Sequence, residues 1–172
     1  MSGPDEAFMR LALGLAALAG EKGDVPIGAL VVRGGEIVGQ GANAREASGD
    51  PTAHAEVVAL RQACASLGSW RLDGATVYAT LEPCAMCAGA IVAARIERLV
   101  FAAADPKAGC CGSLYNFCAD PRLPHEVAVS RGVLGREAAE ALASWFAARR
   151  RQLPRARVKT PKALGSASGP AS

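Results

Sequence analysis

No stretch of the 172-residue sequence approaches the roughly 18 consecutive apolar residues that a membrane-spanning helix needs, which argues against an integral membrane protein. Also missing are an internal repeat, a phosphate-cradling glycine motif with its lysine, and a nucleophilic serine elbow. The chemistry must come from other residues. The segment "FMRLALGLAALAG" could pass for the apolar part of a signal peptide. However, acidic Asp5 and Glu6 precede it where basic residues belong, and Arg10 interrupts it. Six cysteines, with Cys110 and Cys111 adjacent, are unusual disulfide material in a chain this well supplied with core residues. A reducing, cytoplasmic setting is expected.

What is present suits one compact, globular domain: 51% of the residues are hydrophobic and 20% charged. The net charge is only +3, but basic residues crowd the end at Arg149, Arg150, Arg151, Arg155, Arg157, Lys159 and Lys162. Such a cluster either meets a polyanion or solvates a tail, and charge alone does not choose.

After Pro4, Asp5 and Glu6, the residues Phe8, Leu11, Leu15 and Leu18 recur at helical spacing, so an amphipathic helix is expected over 7–19, ended by Gly20 and Gly23. "IGALVVRGGEIVGQGANA" then reads as two strands joined at Gly34 and Gly35. The loop "NAREASGDP" leads to Thr52, expected to cap a helix running to about Ser66. Next come the strand "ATVYATL", a helix with Pro83 in its first turn running to about Ala94, and the strand "RLVFAAA". A glycine-rich loop through Gly109 and Gly112 precedes a short helix near 114–118, a strand "HEVAVS", and a long helix from Gly135 to about Arg151. The class is α/β with a mixed sheet. The packed domain is expected over 1–151, and 152–172 reads as a poorly ordered basic tail.

Within "TLEPCAMCAGA", Cys84 and Cys87 stand three apart at a helix start, where unpaired amides and the helix dipole favour thiolates. Redox pairs and metal sites share that arrangement. Upstream, "TAHAEVV" sets His54 and Glu56 at the first turn of the preceding helix. One imidazole and two thiolates make three zinc ligands and leave a fourth tetrahedral position for water, the pattern of a catalytic site. Cys64, Cys110, Cys111 and Cys118 have no comparable spacing. Residues i and i+2 converge only around the open end of a helix, so the metal belongs there, with Glu56 beside it as a proton carrier or, more blandly, a dipole partner.

The order His54, Glu56, Pro83, Cys84, Cys87 matches the signature of the zinc-dependent deaminases of nucleobases. Together with "PTAHAEVVALRQA", "GSWRL", "ADPKAGCCGSL" and "FAARR", it closely resembles the bacterial tRNA-specific adenosine deaminases over roughly residues 5 to 151. The resemblance implies a cytidine-deaminase-like three-layer α/β/α fold with a five-stranded mixed sheet, a homodimer, and one zinc per subunit held by His54, Cys84 and Cys87. The implied reaction turns the wobble adenosine of a tRNA anticodon into inosine and releases ammonia. Glu56 would carry the proton, and the backbone amide of Cys84 would hold developing negative charge. The resemblance further implies substrate contacts from Ile27, Asn43, Ala55, Asp105, Lys107, Phe146 and Arg150. By pattern alone Asn43 is a loop residue, Ile27 a strand core residue, and Asp105 with Lys107 a turn. Likewise Phe146 could equally be a core aromatic beside solvated arginines.

The sequence departs from close relatives at "LPHEV", where Pro124 and Glu126 flank His125 in place of an asparagine and an arginine. A glutamate facing RNA repels phosphate, so the departure bears on anticodon reading and leaves the zinc residues untouched. Three other readings stand beside this one. They are a deaminase of a free base or nucleoside such as guanine or cytosine, a noncatalytic zinc-stapled binding module, and a Cys84–Cys87 redox pair.

Overall fold

The computed structural model describes residues 3–152. Helix α1 (Pro4–Glu21) takes Pro4 into its first turn and sets Asp5 and Glu6 against the positive end of its dipole. Strands β1 (Gly28–Arg33) and β2 (Glu36–Ala42) form a hairpin whose turn residues, Gly34 and Gly35, have φ of +60° and +84°. Positive φ at both positions is what a two-residue turn of this hand demands. The order continues α2 (Arg45–Ser48), α3 (Ala55–Leu67), β3 (Ala75–Leu81), α4 (Ala85–Ala93), β4 (Arg98–Ala103), β5 (Ala128–Arg131) and α5 (Gly135–Gln152).

The five strands lie in the order β2-β1-β3-β4-β5. β1 runs antiparallel to both β2 and β3, whereas β3, β4 and β5 are mutually parallel. Because strand side chains alternate, Val31, Val77, Leu99 and Phe101 meet the helical residues Ala59, Ala63 and Ile91 on one face. On the other face Leu30, Val32, Tyr78 and Val100 meet Met9, Ala12 and Ala138. The sheet is thus covered by α3 and α4 on one side and by α1 and α5 on the other, giving three layers. Burial on both faces explains why β1, β3 and β4 are near-continuous apolar runs. Among the described residues no helix is long and apolar enough to cross a membrane.

Two glycines of β2 let α3 sit directly on the sheet. A Cβ at Gly41 would lie 2.1 Å from the carbonyl oxygen of Ala55, and one at Gly39 would lie 2.3 Å from that of Ala59. Both obstacles are helix backbone and cannot swing aside. Gly41→Ala is therefore expected to push the first turn of α3 off the sheet, at a cost of about 3 kcal/mol or more, the upper range for overpacking. Urea denaturation with a metal titration checks this, and weaker zinc retention should accompany the lost stability because His54 and Glu56 ride on that turn.

Several elements differ from the sequence expectation. Thr52 does not cap α3: its hydroxyl donates to Asp50 at 2.7 Å, and His54 holds the cap position instead. Pro83 lies outside α4, with Cys84 at the cap, because the Pro83 carbonyl accepts from the Cys110 amide at 2.9 Å. The loop "NAREASGDP" contains the short α2, whose amides at Glu46 and Ala47 donate to the buried Asp24 carboxylate at 2.9 and 3.1 Å. The helix expected near 114–118 is a single 3-10 turn at Phe117–Ala119. Strand β5 starts only at Ala128, since His125 is drawn aside by a 2.7 Å bond between its Nε2 and the Ile96 carbonyl. The tail expected from 152 onward lies, past Gln152, outside the described residues.

Candidate metal centre

β3 runs straight into Glu82, Pro83 and Cys84, so the carboxyl end of a central parallel strand delivers a thiol to the start of α4. Cys87 follows in the first turn of that helix, and His54 caps α3 alongside it. Neither cap side chain bonds to its own helix amides, so both positive helix ends are turned on the cluster. The Nδ1 atom of His54 lies 3.6 Å from the Cys84 sulfur and 3.5 Å from that of Cys87. The three donor atoms fall within 4.8 Å of one another.

That spacing fits zinc. Bonds of ~2.3 Å to sulfur and ~2.0 Å to nitrogen at a tetrahedral angle require an N–S separation of about 3.5 Å. The charges point the same way. Hydrogen bonding from Cys87, and then from His54, pulls the Cys84 thiol down to about 3. Hydrogen bonding to that sulfur, with burial, pushes Cys87 well above the usual thiol range. Two adjacent sulfurs thus divide one negative charge, and a divalent cation is what allows both to be thiolates. Hydrogen bonding to Cys84 correspondingly raises His54.

Glu56, one residue into α3, is buried, with 4% of its surface exposed. Burial raises its carboxyl above the ordinary range, against the opposing pull of a helix-start amide. A carboxyl whose proton affinity is raised by burial, beside a metal cluster, is suited to accepting and returning a proton.

The residues expected to touch substrate fall into three groups. Ile27, Asn43 and Ala55 belong to the frame that leads into His54. The Asn43 amide donates to the Ile27 carbonyl at 2.9 Å, Ala44 donates to Ala53 at 3.0 Å, and Ala55 is fully buried. Asn43 is itself buried, with its Nδ2 donating to the Val25 carbonyl at 3.3 Å. That bond fixes the side-chain amide and is more than an ordinary loop residue requires. Asp105 and Lys107 do form a turn, the Asp105 Oδ1 accepting from the amides of Lys107 and Ala108 at 2.9 and 3.2 Å. The turn nevertheless abuts the metal cluster, because Gly109 makes a β-bridge with Cys84. Phe146 and Arg150 line a cavity of about 290 Å³ with Val25, Glu46, Trp145 and Arg149. Phe146 is 42% exposed and is not a core aromatic. The cavity is tied to the last turn of α1 by Trp145 Nε1, which donates to the Gly20 carbonyl at 3.2 Å, and to the loop after it by Arg149, which donates to the Gly23 carbonyl at 3.1 Å.

Glu82 and Asp24 are buried carboxylates that sequence reasoning passes over, Glu82 beside Cys84 in the chain and Asp24 against α2. A charged residue next to the apolar run "ATVYATL" was the available signal for Glu82. Of the remaining cysteines, Cys111 and Cys118 are buried with their sulfurs 3.7 Å apart and are not among the three clustered donors.

A three-layer α/β/α fold with one imidazole and two thiols at paired helix starts, and a buried carboxyl beside them, defines a zinc-dependent deaminase. The chain belongs to the cytidine and deoxycytidylate deaminase family, whose zinc-binding region matches residues 2–103. It is 47% identical over 153 residues to the tRNA-specific adenosine deaminase of Bacillus subtilis, a match that covers 89% of this chain and 95% of that one. A solved structure from work on A-to-I editing by tRNA:A34 deaminases is 46% identical, with a TM-score of 0.76 over 78% of this chain and 98% of the other. The fold is also similar to a guanine deaminase from Bacillus subtilis, 32% identical, with a TM-score of 0.58 over 91% and 98% of the two chains. The cofactor is zinc, and the His54, Cys84 and Cys87 cluster fits it.

Proposed function

We propose that the protein deaminates the adenosine at the wobble position of a tRNA anticodon to inosine, with release of ammonia. The observation that carries this reading is the buried Glu56 beside a zinc-shaped His54, Cys84 and Cys87 cluster, in a chain 47% identical to a tRNA-specific adenosine deaminase. His54, Cys84 and Cys87 would hold the metal. Zinc bound there supplies a Lewis acid that lets a water molecule lose its proton near neutral pH. Glu56 takes that proton and returns it to the substrate nitrogen, so that ammonia leaves as oxygen replaces it at C6 of adenine. The amide of Cys84, at the start of α4, stabilises the negative charge that develops on that oxygen. Ile27 packs against the base with Ala55 behind the pocket wall, and the fixed Asn43 amide pairs with its edge.

Around the pocket, Asp105 meets a ribose hydroxyl and Lys107 a phosphate, while Phe146 and Arg150 offer a stacking face and a cation to the flanking nucleotides. The exposed Phe146 beside two arginines favours an RNA substrate over a free base, which has nothing to place there. Residues 1–151 form the deaminase domain in this reading, and a tRNA substrate sets it in the cytoplasm. A groove of about 440 Å³ between α3 and α4, lined by Val57, Leu60, Cys64, Trp70, Ala90 and Ala94, supports a homodimer. Its Trp70 is 62% exposed, an apolar surface that a second copy would cover.

The test is inosine formation in an anticodon stem-loop bearing adenosine at the wobble position, with free adenosine, cytidine and guanine as competitors. Inosine from the stem-loop alone is expected. Rapid turnover of a free base, with the stem-loop left untouched, would sink the tRNA reading and leave the deaminase chemistry standing.

A further inference from the structure

The side chain of Glu82 is absent from the mechanism above, yet it is 2% exposed and more heavily bonded than any proposed catalytic group. Its Oε1 accepts from the amides of Cys111 and Ser113 at 3.1 and 3.0 Å. Its Oε2 accepts from the amide of Asp105 at 3.0 Å and from the Ser113 hydroxyl. Four donors fill the acceptor capacity of one carboxylate, and all four come from the single loop 105–113. The loop closes on Glu82 so tightly that a Cβ at Gly109 would lie 2.4 Å from the carboxyl carbon. The main chain reinforces the grip: Glu82 donates to Ala103 at 2.8 Å, Cys110 donates to Pro83 at 2.9 Å, and Gly109 bridges to Cys84.

Cys84 stands two residues after Glu82, and Asp105 and Lys107 stand on the loop that Glu82 holds. The geometry points to Glu82 as a positioning residue that fixes the 105–113 loop to the Cys84 arm, and so sets where the RNA backbone lies relative to the reacting base. This inference rests on the tRNA reading. A carboxylate is needed for it: an amide offers one acceptor oxygen and turns an NH₂ group toward backbone N–H donors. Three N–H groups, that of Cys111 buried and those of Asp105 and Ser113 part-buried, converge on the two carboxylate oxygens, and an amide side chain cannot accept from all three.

Glu82→Gln is expected to retain zinc, to speed hydrogen–deuterium exchange at Asp105, Cys111 and Ser113, and to raise KM for the stem-loop roughly tenfold, with kcat per bound zinc changing less. A purely structural Glu82 predicts the opposite split, namely loss of active fraction with KM unchanged, and that result would overturn the proposal. Should Glu82→Gln lose its metal or fail to fold, Ser113→Ala decides, since it removes only the hydroxyl donor from an exposed position. A rise of a few-fold in KM, roughly what one lost hydrogen bond gives, supports the proposal; an unchanged KM rejects it. Wild-type protein that makes no inosine from the stem-loop would instead reject the tRNA reading. Exchange at the three amides still reports whether Glu82 holds the loop.

Discussion

Glu56→Ala is expected to lower inosine formation by about 10⁴-fold, the upper end of what a positioned proton carrier contributes, while zinc content and fold are retained. Glu56 is not a donor in the His54, Cys84 and Cys87 cluster, so its removal leaves the metal's own ligands in place. In the metal-free fold it is also a stability liability, because burial disfavours its charged form. The sign follows: a carboxyl whose folded pKa lies above its unfolded value weakens the fold as pH rises past the unfolded value near 4.5, and replacing it relieves that penalty. Glu56→Gln, which keeps the shape without the charge, should therefore melt no lower than the wild type at neutral pH when both are stripped of metal, and the zinc-loaded variant should lose activity to a similar extent. Single-turnover deamination on the stem-loop, read beside zinc content and thermal melting, checks all three points. A noncatalytic binding module predicts that Glu56→Ala keeps full function, so activity within tenfold of wild type would favour that class instead.

The metal cluster was legible because its information is local. His54 with Glu56 sits at a spacing that only a helix start can bring together, Cys84 with Cys87 at one that a single helix face supplies, and both helix starts lie within two residues of expectation. The hairpin was equally legible, since Gly34 and Gly35 answer a purely local demand for positive φ. What escaped depends on partners far along the chain. Thr52 looks like a cap until Asp50 takes its hydroxyl. Pro83 looks like a first-turn residue until Cys110, 27 positions later, claims its carbonyl. The short α2 has no apolar period to announce it and exists because Asp24 receives its amides. Gly39 and Gly41 go unmarked within the strand run, whereas their missing side chains make room for the backbone of α3. Asn43 lies between these cases: the resemblance implies a substrate contact for it, but the bond to Val25 that orients its side chain is visible only in three dimensions.

Stripping the metal with a strong chelator is expected to abolish deamination and to destabilise the domain together, and adding zinc back should restore both. The cluster joins the starts of α3 and α4, two helices that otherwise meet the rest of the protein through the same face of the sheet. Bound zinc therefore acts as a cross-link between them. At a free zinc concentration of roughly a thousand times Kd, this linkage is worth about 4 kcal/mol, which corresponds to a melting shift on the order of 10 °C for a chain this size. Cys87→Ser should lose most of that shift and should not recover activity with added zinc, because a serine hydroxyl stays neutral where the thiol becomes a charged ligand. The redox reading predicts a different outcome: the metal-free protein would form a reversible Cys84–Cys87 disulfide and keep its function. Metal analysis and thiol titration on the same sample separate the two. Tightly bound zinc, with Cys84 and Cys87 shielded from thiol reagents until chelation, is the expected result, and a metal-free protein carrying that disulfide would overturn it.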